Sequence, residues 1–279
     1  TTSMAADETM FEGYYRITAS NKPIGYSIQR YSYNDKKKQF TSKYYVRAKS
    51  PAGTLTETLT AVANNQFHPV SYQYTSQVGS KVTSIDAHFK LTKSNVAMTY
   101  TVNNGKQQQT FTKTISRDVF LSTFQVYLML QKGLKAGTKF NFKAISEEDG
   151  EVRDGQAMVK NEPGFEDKGI LRVLTKFKGI QSVANVNVKG EVIIAESPVQ
   201  KIRQVLVPVP AEATKGFQFD TKAIKYVFGS IPTGQINQMV KNKKQAKASA
   251  APAPGAKQES PPQQAIKINP PKSNAKSSN

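Results

Sequence analysis

Apolar and polar residues alternate along most of the chain before residue 116. Between Phe40 and Lys49, for example, Tyr44 and Val46 fall on one side while Lys43 and Arg47 fall on the other. One apolar and one polar side is typical of a strand in an antiparallel sheet. We predict about eight such strands joined by short turns, and a meander of this kind can only be antiparallel. Asn104-Gly105 is the strongest turn signal, because both residues tolerate positive φ.

The alternation stops at Val119–Leu134, where the apolar residues recur at helical spacing. We predict a helix here, with Asp118 as its N-cap and with Lys132 and Gly133 at its end. Since nearly everything around it is predicted to be strand, the helix should pack against, or inside, a large curved sheet.

Strand-like alternation resumes after the helix. The acidic stretch between Glu147 and Asp154 predicts a solvated turn, with a calcium-binding loop as the alternative. Prolines around the apolar run 202–209 place that strand at an edge or an end of the sheet. Thr221 to Phe228 predicts a short helix.

The composition divides the chain into three parts. Residues 1–9 are predicted to be a flexible N-terminus, 10–240 a β-rich domain with a helix near 119–134, and 241–279 a disordered tail. The tail is rich in Pro, Ala, Ser, Gln and Lys, and Ile266 and Ile268 are its only bulky apolar residues. The predicted fold class is mainly β: a large curved antiparallel sheet or half-barrel around one apolar helix.

The formal net charge is +19. The tail contains eight lysines and one glutamate, hence +7, which leaves +12 on the rest of the chain. Such a field attracts polyanions, including membrane surfaces, envelope polymers and nucleic acid. Alternatively, the lysines only keep exposed strand faces soluble and protect sheet edges. The residues predicted to contact an anionic surface are Lys43, Arg47, Lys241, Lys243, Lys244 and Lys247.

No pattern indicates catalysis. The chain has no Cys, which excludes thiolate metal ligands and a Cys nucleophile. His68 and His88 are interpreted as surface residues, since no HExxH, P-loop, GxSxG or dinucleotide-binding motif accompanies them. We therefore expect a protein that is not an enzyme and that uses no cofactor or metal.

Aromatic residues suggest a ligand, since apolar pockets commonly lie in the mouths of curved sheets. The residues predicted to bind a lipid or other amphiphile are Phe120, Phe124, Tyr127, Tyr14, Tyr72 and Tyr74. Tyrosines along a sheet are also common as half-buried structural residues, so that interpretation stays open.

Three segments resemble a known family: EGYYRITASNKPIGYSIQRY, LTETLTAVANNQFHPVSYQY and VNVKGEVIIAESP. They are similar to an uncharacterised family of exported β-rich bacterial envelope proteins, a domain of unknown function related to lipoprotein-carrier folds. The likeness covers residues 11–229 and rests on strand patterning and a Gly-Tyr pair near the start. It implies a half-barrel around a helix, in the periplasm of a Gram-negative cell, and it provides no functional residues to transfer.

These observations predict a non-enzymatic envelope protein that binds a lipid or amphiphile in the sheet concavity and contacts anionic surfaces through lysines. We expect it to be periplasmic or secreted, with its signal peptide removed, because the chain begins with Thr1. The alternatives are a periplasmic scaffold that binds a protein partner or a wall polymer and, as a less favoured reading, a nucleic-acid-binding protein.

Overall fold

The computed structural model describes residues 7–133, 135–160, 162–165, 168–187, 190–234 and 236–237. All of these lie within one compact unit, Thr1–Asn242. The second unit, Lys243–Asn279, contains most of the predicted tail and lies outside the described residues. Leu134, Lys241, Lys243, Lys244 and Lys247 lie outside them as well.

The first half of the sheet is the predicted meander, in which each strand pairs antiparallel with the next. Its eight strands are β1 (Glu8–Ala19), β2 (Lys22–Asn34), β3 (Gln39–Ser50), β4 (Gly53–Asn64), β5 (Pro69–Val78), β6 (Lys81–Leu91), β7 (Asn95–Asn103) and β8 (Gln108–Ser116). Because β1 begins at Glu8, the last residues of the predicted flexible N-terminus belong to a strand. Of Asn104 and Gly105, only Gly105 has positive φ.

The second half adds strands and three helices. The strands are β9 (Phe120–Leu121), β10 (Lys139–Ser146), β11 (Glu151–Lys160), β12 (Ile170–Phe177), β13 (Ile180–Asn187), β14 (Val192–Ser197), β15 (Ile202–Val207) and β16 (Ile236–Asn237). The helices are α1 (Gln125–Lys132), α2 (Pro210–Thr214) and α3 (Thr221–Phe228). All the strands belong to one 16-stranded sheet, so the predicted mainly β class with one large curved sheet is confirmed. The pair β9–β10 is parallel.

β15 lies inside the sheet, so the prediction of an edge strand is wrong. It pairs with β14 on one side and with β1 on the other, where Tyr14 is opposite Val207. Pro198 and Pro208 flank β15 without entering it, so every residue of the strand keeps its backbone N–H. This strand joins the two halves of the sheet.

α1 lies on the concave side, as predicted, but it begins at Gln125 and not at Val119. Phe120 and Leu121 instead pair with Ala144 and Ile145 of β10. The residues between them form a short 3-10 turn, Ser122–Phe124.

The contacts of α1 connect both halves of the sheet. Phe124 and Tyr127 belong to the core cluster formed with β1–β8. Met129 packs against residues of β11, β12 and β13. The helix ends at Gly133, which has φ of 82°, in agreement with the predicted stop.

The convex face is also covered, over β1–β3. Tyr26 and Tyr45 are fully buried there against α3 and the segment before it. The Tyr14 hydroxyl donates to the carbonyl of Pro232 at 2.8 Å. The side of β3 predicted to face water is therefore partly covered, because the C-terminal helices return to pack on it.

A buried ion pair fastens the C-terminal segment to β1. Glu12 accepts hydrogen bonds from Arg30 Nε at 2.8 Å and from the backbone N–H groups of Thr233 and Gly234 at 2.6 and 3.0 Å. Arg30 also donates to the carbonyl of Phe228 at 2.8 Å. The charges of Glu12 and Arg30 therefore both have hydrogen-bond partners at the point where the C-terminal segment packs on β1.

Gly25 belongs to one of the two Gly-Tyr pairs near the start of the chain, Gly13-Tyr14 and Gly25-Tyr26. It lies in β2, where a Cβ atom would meet the backbone oxygen of Arg47 and would approach Ala48 Cα to 2.6 Å. Only glycine allows β2 and β3 to come this close at that point.

Candidate functional site

The six residues predicted to bind a ligand are all buried, but not all in one place. Four share the core cluster on the concave side: Phe124, Tyr127, Tyr72 and Tyr74. Tyr14 lies on the convex face, in the cluster with α3. Phe120 packs against Phe142, with ring centroids 5.6 Å apart. The structure therefore assembles four of the six.

Side chains fill the centre of the concave side. Phe124 is 0% exposed, and its ring centroid lies 6.3 Å from that of Tyr31 and 5.8 Å from that of Phe67. Tyr72 is buried in the same cluster. These residues cannot touch a ligand unless the core opens, so their observed role is packing.

A small cavity remains between α1 and the strands β1, β2 and β14. Its volume is about 90 Å³. It is lined by Phe11, Tyr15, Gln29, Tyr31, Val126, Tyr127, Gly190 and Val192. Tyr127 is the one predicted ligand residue among them. The lining is mostly aromatic and aliphatic, with a few polar atoms, as is usual for ligand pockets.

Tyr15 is the unusual member of this lining. It is 3% exposed, and its hydroxyl has no hydrogen-bond partner among the described residues. Burial raises the pKa of the phenol far above its usual value, so the group remains a neutral donor. The alternating pattern places Tyr15 on the same side as Phe11, but sequence alone gives no sign that its hydroxyl lacks a partner.

The polar side chains of Gln29 and Tyr31, which line the cavity, make hydrogen bonds within the protein. Gln29 Nε2 donates to the Tyr31 hydroxyl at 2.5 Å, and that hydroxyl donates to the carbonyl of Thr123 at 2.9 Å. Thr123 Oγ1 lies 2.7 Å from Ser42 Oγ. These bonds fix the start of α1 against β2 and β3, next to Tyr127.

Glu147 is a residue that the sequence analysis misjudged. It was assigned to a solvated turn, yet it is 5% exposed. Its carboxylate accepts hydrogen bonds from Ser122 Oγ at 2.5 Å and from the Thr123 N–H at 3.0 Å. It therefore anchors the turn that leads into α1, where Asp118 was predicted to act as the cap. No side chain caps α1 itself, so the Asp118 prediction is wrong.

Burial raises the pKa of Glu147 to about 7, although its hydrogen bonds from Ser122 and Thr123 act in the opposite direction. The folded protein therefore favours the protonated form of Glu147. The stability gained in this way is fully present below pH 4.5, the ordinary pKa of a Glu side chain, and is lost as the pH rises to about 7. Gln cannot ionise, and it can keep both contacts if its Oε1 accepts from the Thr123 N–H and its Nε2 donates to Ser122 Oγ. Between pH 4 and pH 8, Glu147→Gln should therefore gain on the order of 3 kcal/mol in free energy of unfolding relative to the wild type.

Urea denaturation at both pH values measures this difference. Glu8→Gln, at an exposed position of β1, is the matched control and should follow the wild type at both. A difference between Glu147→Gln and the wild type that stays constant with pH would contradict the assignment.

Three other carboxylates of the acidic stretch, those of Glu148, Asp149 and Glu151, are paired with basic side chains. Glu148 lies 2.6 Å from Lys178, and Glu151 lies 3.2 Å from Lys113. Among the described residues there is no group of three or more His, Asp or Glu placed to hold a metal ion. The calcium-loop alternative therefore has no support in this part of the chain.

The predicted anionic-surface residues that are described lie on the convex face. Arg47 donates to Gln218 Oε1 at 2.7 Å, which ties it to the segment before α3. Lys43 lines a groove beside α3. His88 is exposed and lies 3.0 Å from Asp86, as expected of a surface histidine. None of the described helices is long and apolar enough to cross a membrane.

Comparisons with solved structures give neighbours in fold, among them the following two proteins. One is a β-barrel-like protein of the domain of unknown function DUF1849 from Brucella abortus, 11% identical, covering 72% of this chain and 97% of that chain with a TM-score of 0.48. The other is a DUF1089 family protein from Pseudomonas aeruginosa, 13% identical, covering 62% and 90% with a TM-score of 0.35. No family model and no curated protein matches the chain. The comparisons supply no activity for it.

Proposed function

We propose that this protein is a non-enzymatic binding protein of the cell envelope that takes the end of a lipid or other amphiphile into the cavity between α1 and the sheet. The observation that carries the proposal is the Tyr15 hydroxyl, which is buried in a mostly apolar lining and has no hydrogen-bond partner among the described residues. A buried unpaired hydroxyl costs about 1–3 kcal/mol, and a polar atom of a ligand would remove that cost.

The size of the cavity limits the ligand. A volume of about 90 Å³ corresponds to roughly three water molecules at 30 Å³ each. The cavity therefore takes only the end of a longer molecule, and deeper entry requires α1 to move. Leu130 of α1 packs directly on Gly190 at this cavity, and a Cβ on Gly190 would clash with its side chain.

The net charge of +19 supports an envelope location, since anionic lipid head groups and wall polymers attract such a chain. The predicted tail, with its eight lysines and one glutamate, provides the cationic groups. The ligand end would then enter from a surface to which the protein is already held by electrostatic attraction.

Tyr15→Phe separates ligand binding from folding. The variant should be more stable than the wild type by about 1 kcal/mol, because it removes an unpaired buried hydroxyl. It should also bind dodecanoate more weakly, and Val126→Trp, which fills the cavity, should abolish binding. Native mass spectrometry with lipid extraction shows the co-purifying ligand, and a dodecanoate titration gives the affinities.

Tyr31→Phe is the matched control, since it removes a hydroxyl that has partners. It should lose about 1 kcal/mol of stability, because Gln29 and the Thr123 carbonyl lose their hydrogen bonds. Wild-type protein that carries no amphiphile and binds no dodecanoate would overturn the proposal.

A periplasmic scaffold is the second candidate, and the filled core around Phe124 favours it. A scaffold needs a rigid sheet and no interior ligand. The same mass spectrometry separates the two functions, because a scaffold yields bare protein whether or not Val126 is replaced.

A further inference from the structure

The convex face carries a polar groove that the interior cavity does not involve. It lies between α3 and the strands β3–β6, with a volume of about 550 Å³. We propose that this groove is a binding site for a neutral oligosaccharide, with Tyr226 as the aromatic platform at its rim. The site is on the opposite face of the sheet from Tyr15 and is independent of amphiphile binding.

The floor of the groove continues as a row of polar side chains across six strands. Directly opposed residues, one from each strand from β3 to β8, form this row: Lys43, Thr60, Gln73, Asp86, Thr101 and Thr110. Neighbouring members are about 4.8 Å apart, the spacing of strands in a sheet. Regularly spaced hydroxyl and amide groups both donate and accept hydrogen bonds, as the hydroxyl groups of a sugar chain require.

A second row runs beside the first. Thr58 is opposite Thr75, and Thr75 is opposite Ser84. All three line the groove. A ligand lying across the strands would therefore meet two parallel rows of polar side chains, the second made up of hydroxyl groups.

The charge of the groove favours a neutral ligand. Its lining contains one basic residue, Lys43, and one acidic residue, Asp86. Asp86 is held in place by a hydrogen bond from Gln73 Nε2 at 2.9 Å. The side chains that line the groove thus carry no net charge, although the whole chain has a net charge of +19. A polyanion would therefore gain no electrostatic attraction at the groove.

Tyr226 supplies an apolar surface on which a sugar ring can pack. Its side chain is 90% exposed, while its neighbour Val227 is buried under the same helix. α3 is fixed at both ends, because Asp220 accepts a hydrogen bond from the Ala223 N–H at 3.0 Å and Gly229 ends the helix in the left-handed conformation. An exposed Tyr ring on a helix that is fixed at both ends can cover the apolar face of a sugar ring while its hydroxyl stays in water.

Titration calorimetry of the full chain with cellohexaose, maltohexaose and chitohexaose tests the site. At least one of these should bind. Tyr226→Ala and Gln73→Ala should each weaken that binding about tenfold, whereas Tyr226→Phe should retain most of it. Tyr226 and Gln73 are both exposed, so the three variants should fold, and circular dichroism checks this.

Val199→Ala is the matched control, since Val199 is exposed but lies outside the groove. The affinity of this variant for the oligosaccharide should equal that of the wild type. The proposal is overturned if none of the hexasaccharides binds, or if Tyr226→Ala binds as well as the wild type. Binding of heparin alone, with an affinity that falls steeply with salt, would also overturn it, because the surface would then be a polyanion site.

Discussion

Phe124→Ala should lower the free energy of unfolding by about 3–5 kcal/mol. Phe124 is 0% exposed and lies where the first strands of the sheet, the 3-10 turn and α1 meet. Removing its ring leaves a cavity lined by Tyr31 and Phe67. This cavity cannot close, because strand pairing holds Tyr31 and a hydrogen bond from the Phe67 N–H to the Asn64 carbonyl at 2.9 Å holds the turn that carries Phe67. Urea denaturation followed by circular dichroism measures the change.

Phe111→Ala provides the comparison, because Phe111 is partly exposed on the edge strand β8. It stacks on Tyr100, so we expect a loss of only about 1 kcal/mol. If Phe124→Ala cost no more than Phe111→Ala, the interior would be loosely packed, and the cavity beside α1 would be part of a larger open space.

Glu12→Ala should cost about 3–5 kcal/mol, because it leaves the charge of Arg30 buried without its partner. It also removes the acceptor of the Thr233 and Gly234 N–H groups. We expect the segment after α3 to lose its protection first, which hydrogen exchange measures at those two amides.

Glu196→Ala is the control for this second variant. Glu196 pairs with Arg203 at 2.9 Å, but both side chains are substantially exposed, and such pairs contribute about 0–1 kcal/mol. If Glu12→Ala and Glu196→Ala lost the same free energy of unfolding, burial around Glu12 would not strengthen its interactions.

The meander could be predicted because each of its strands carries its own period-two signal. β1–β8 needed only local information, namely alternation and turn residues. Alternation alone places Tyr45 on the side of β3 that was predicted to face water, whereas Tyr45 is buried. The reason is that α3, far away in the chain, covers this side of β3.

Long-range contacts also explain the errors around α1. An apolar stripe at helical spacing includes Phe120 and Leu121, but pairing with β10 draws them into the sheet. The anchoring carboxylate comes from Glu147 and not from the adjacent Asp118. Nothing in the sequence near Val119 indicates that a residue of a later turn performs this function.

The candidate sites were predictable only in part. Tyr127 was identified from the helical stripe and does line the cavity, whereas Tyr15 stands out only through its missing hydrogen bond. The groove on the other face depends on the register of four strands, β3–β6, and on the return of α3, and spacing along the chain specifies neither.

The pairing of β1 with β15 constrains the order in which the protein is completed. β1 is made first, yet one side of it has no partner until almost the whole domain has been synthesised. Such distant pairing is slow, because the intervening chain must be ordered before the contact forms. Until then β1 offers an unpaired edge to other chains, so the nascent protein needs protection from aggregation for most of its synthesis.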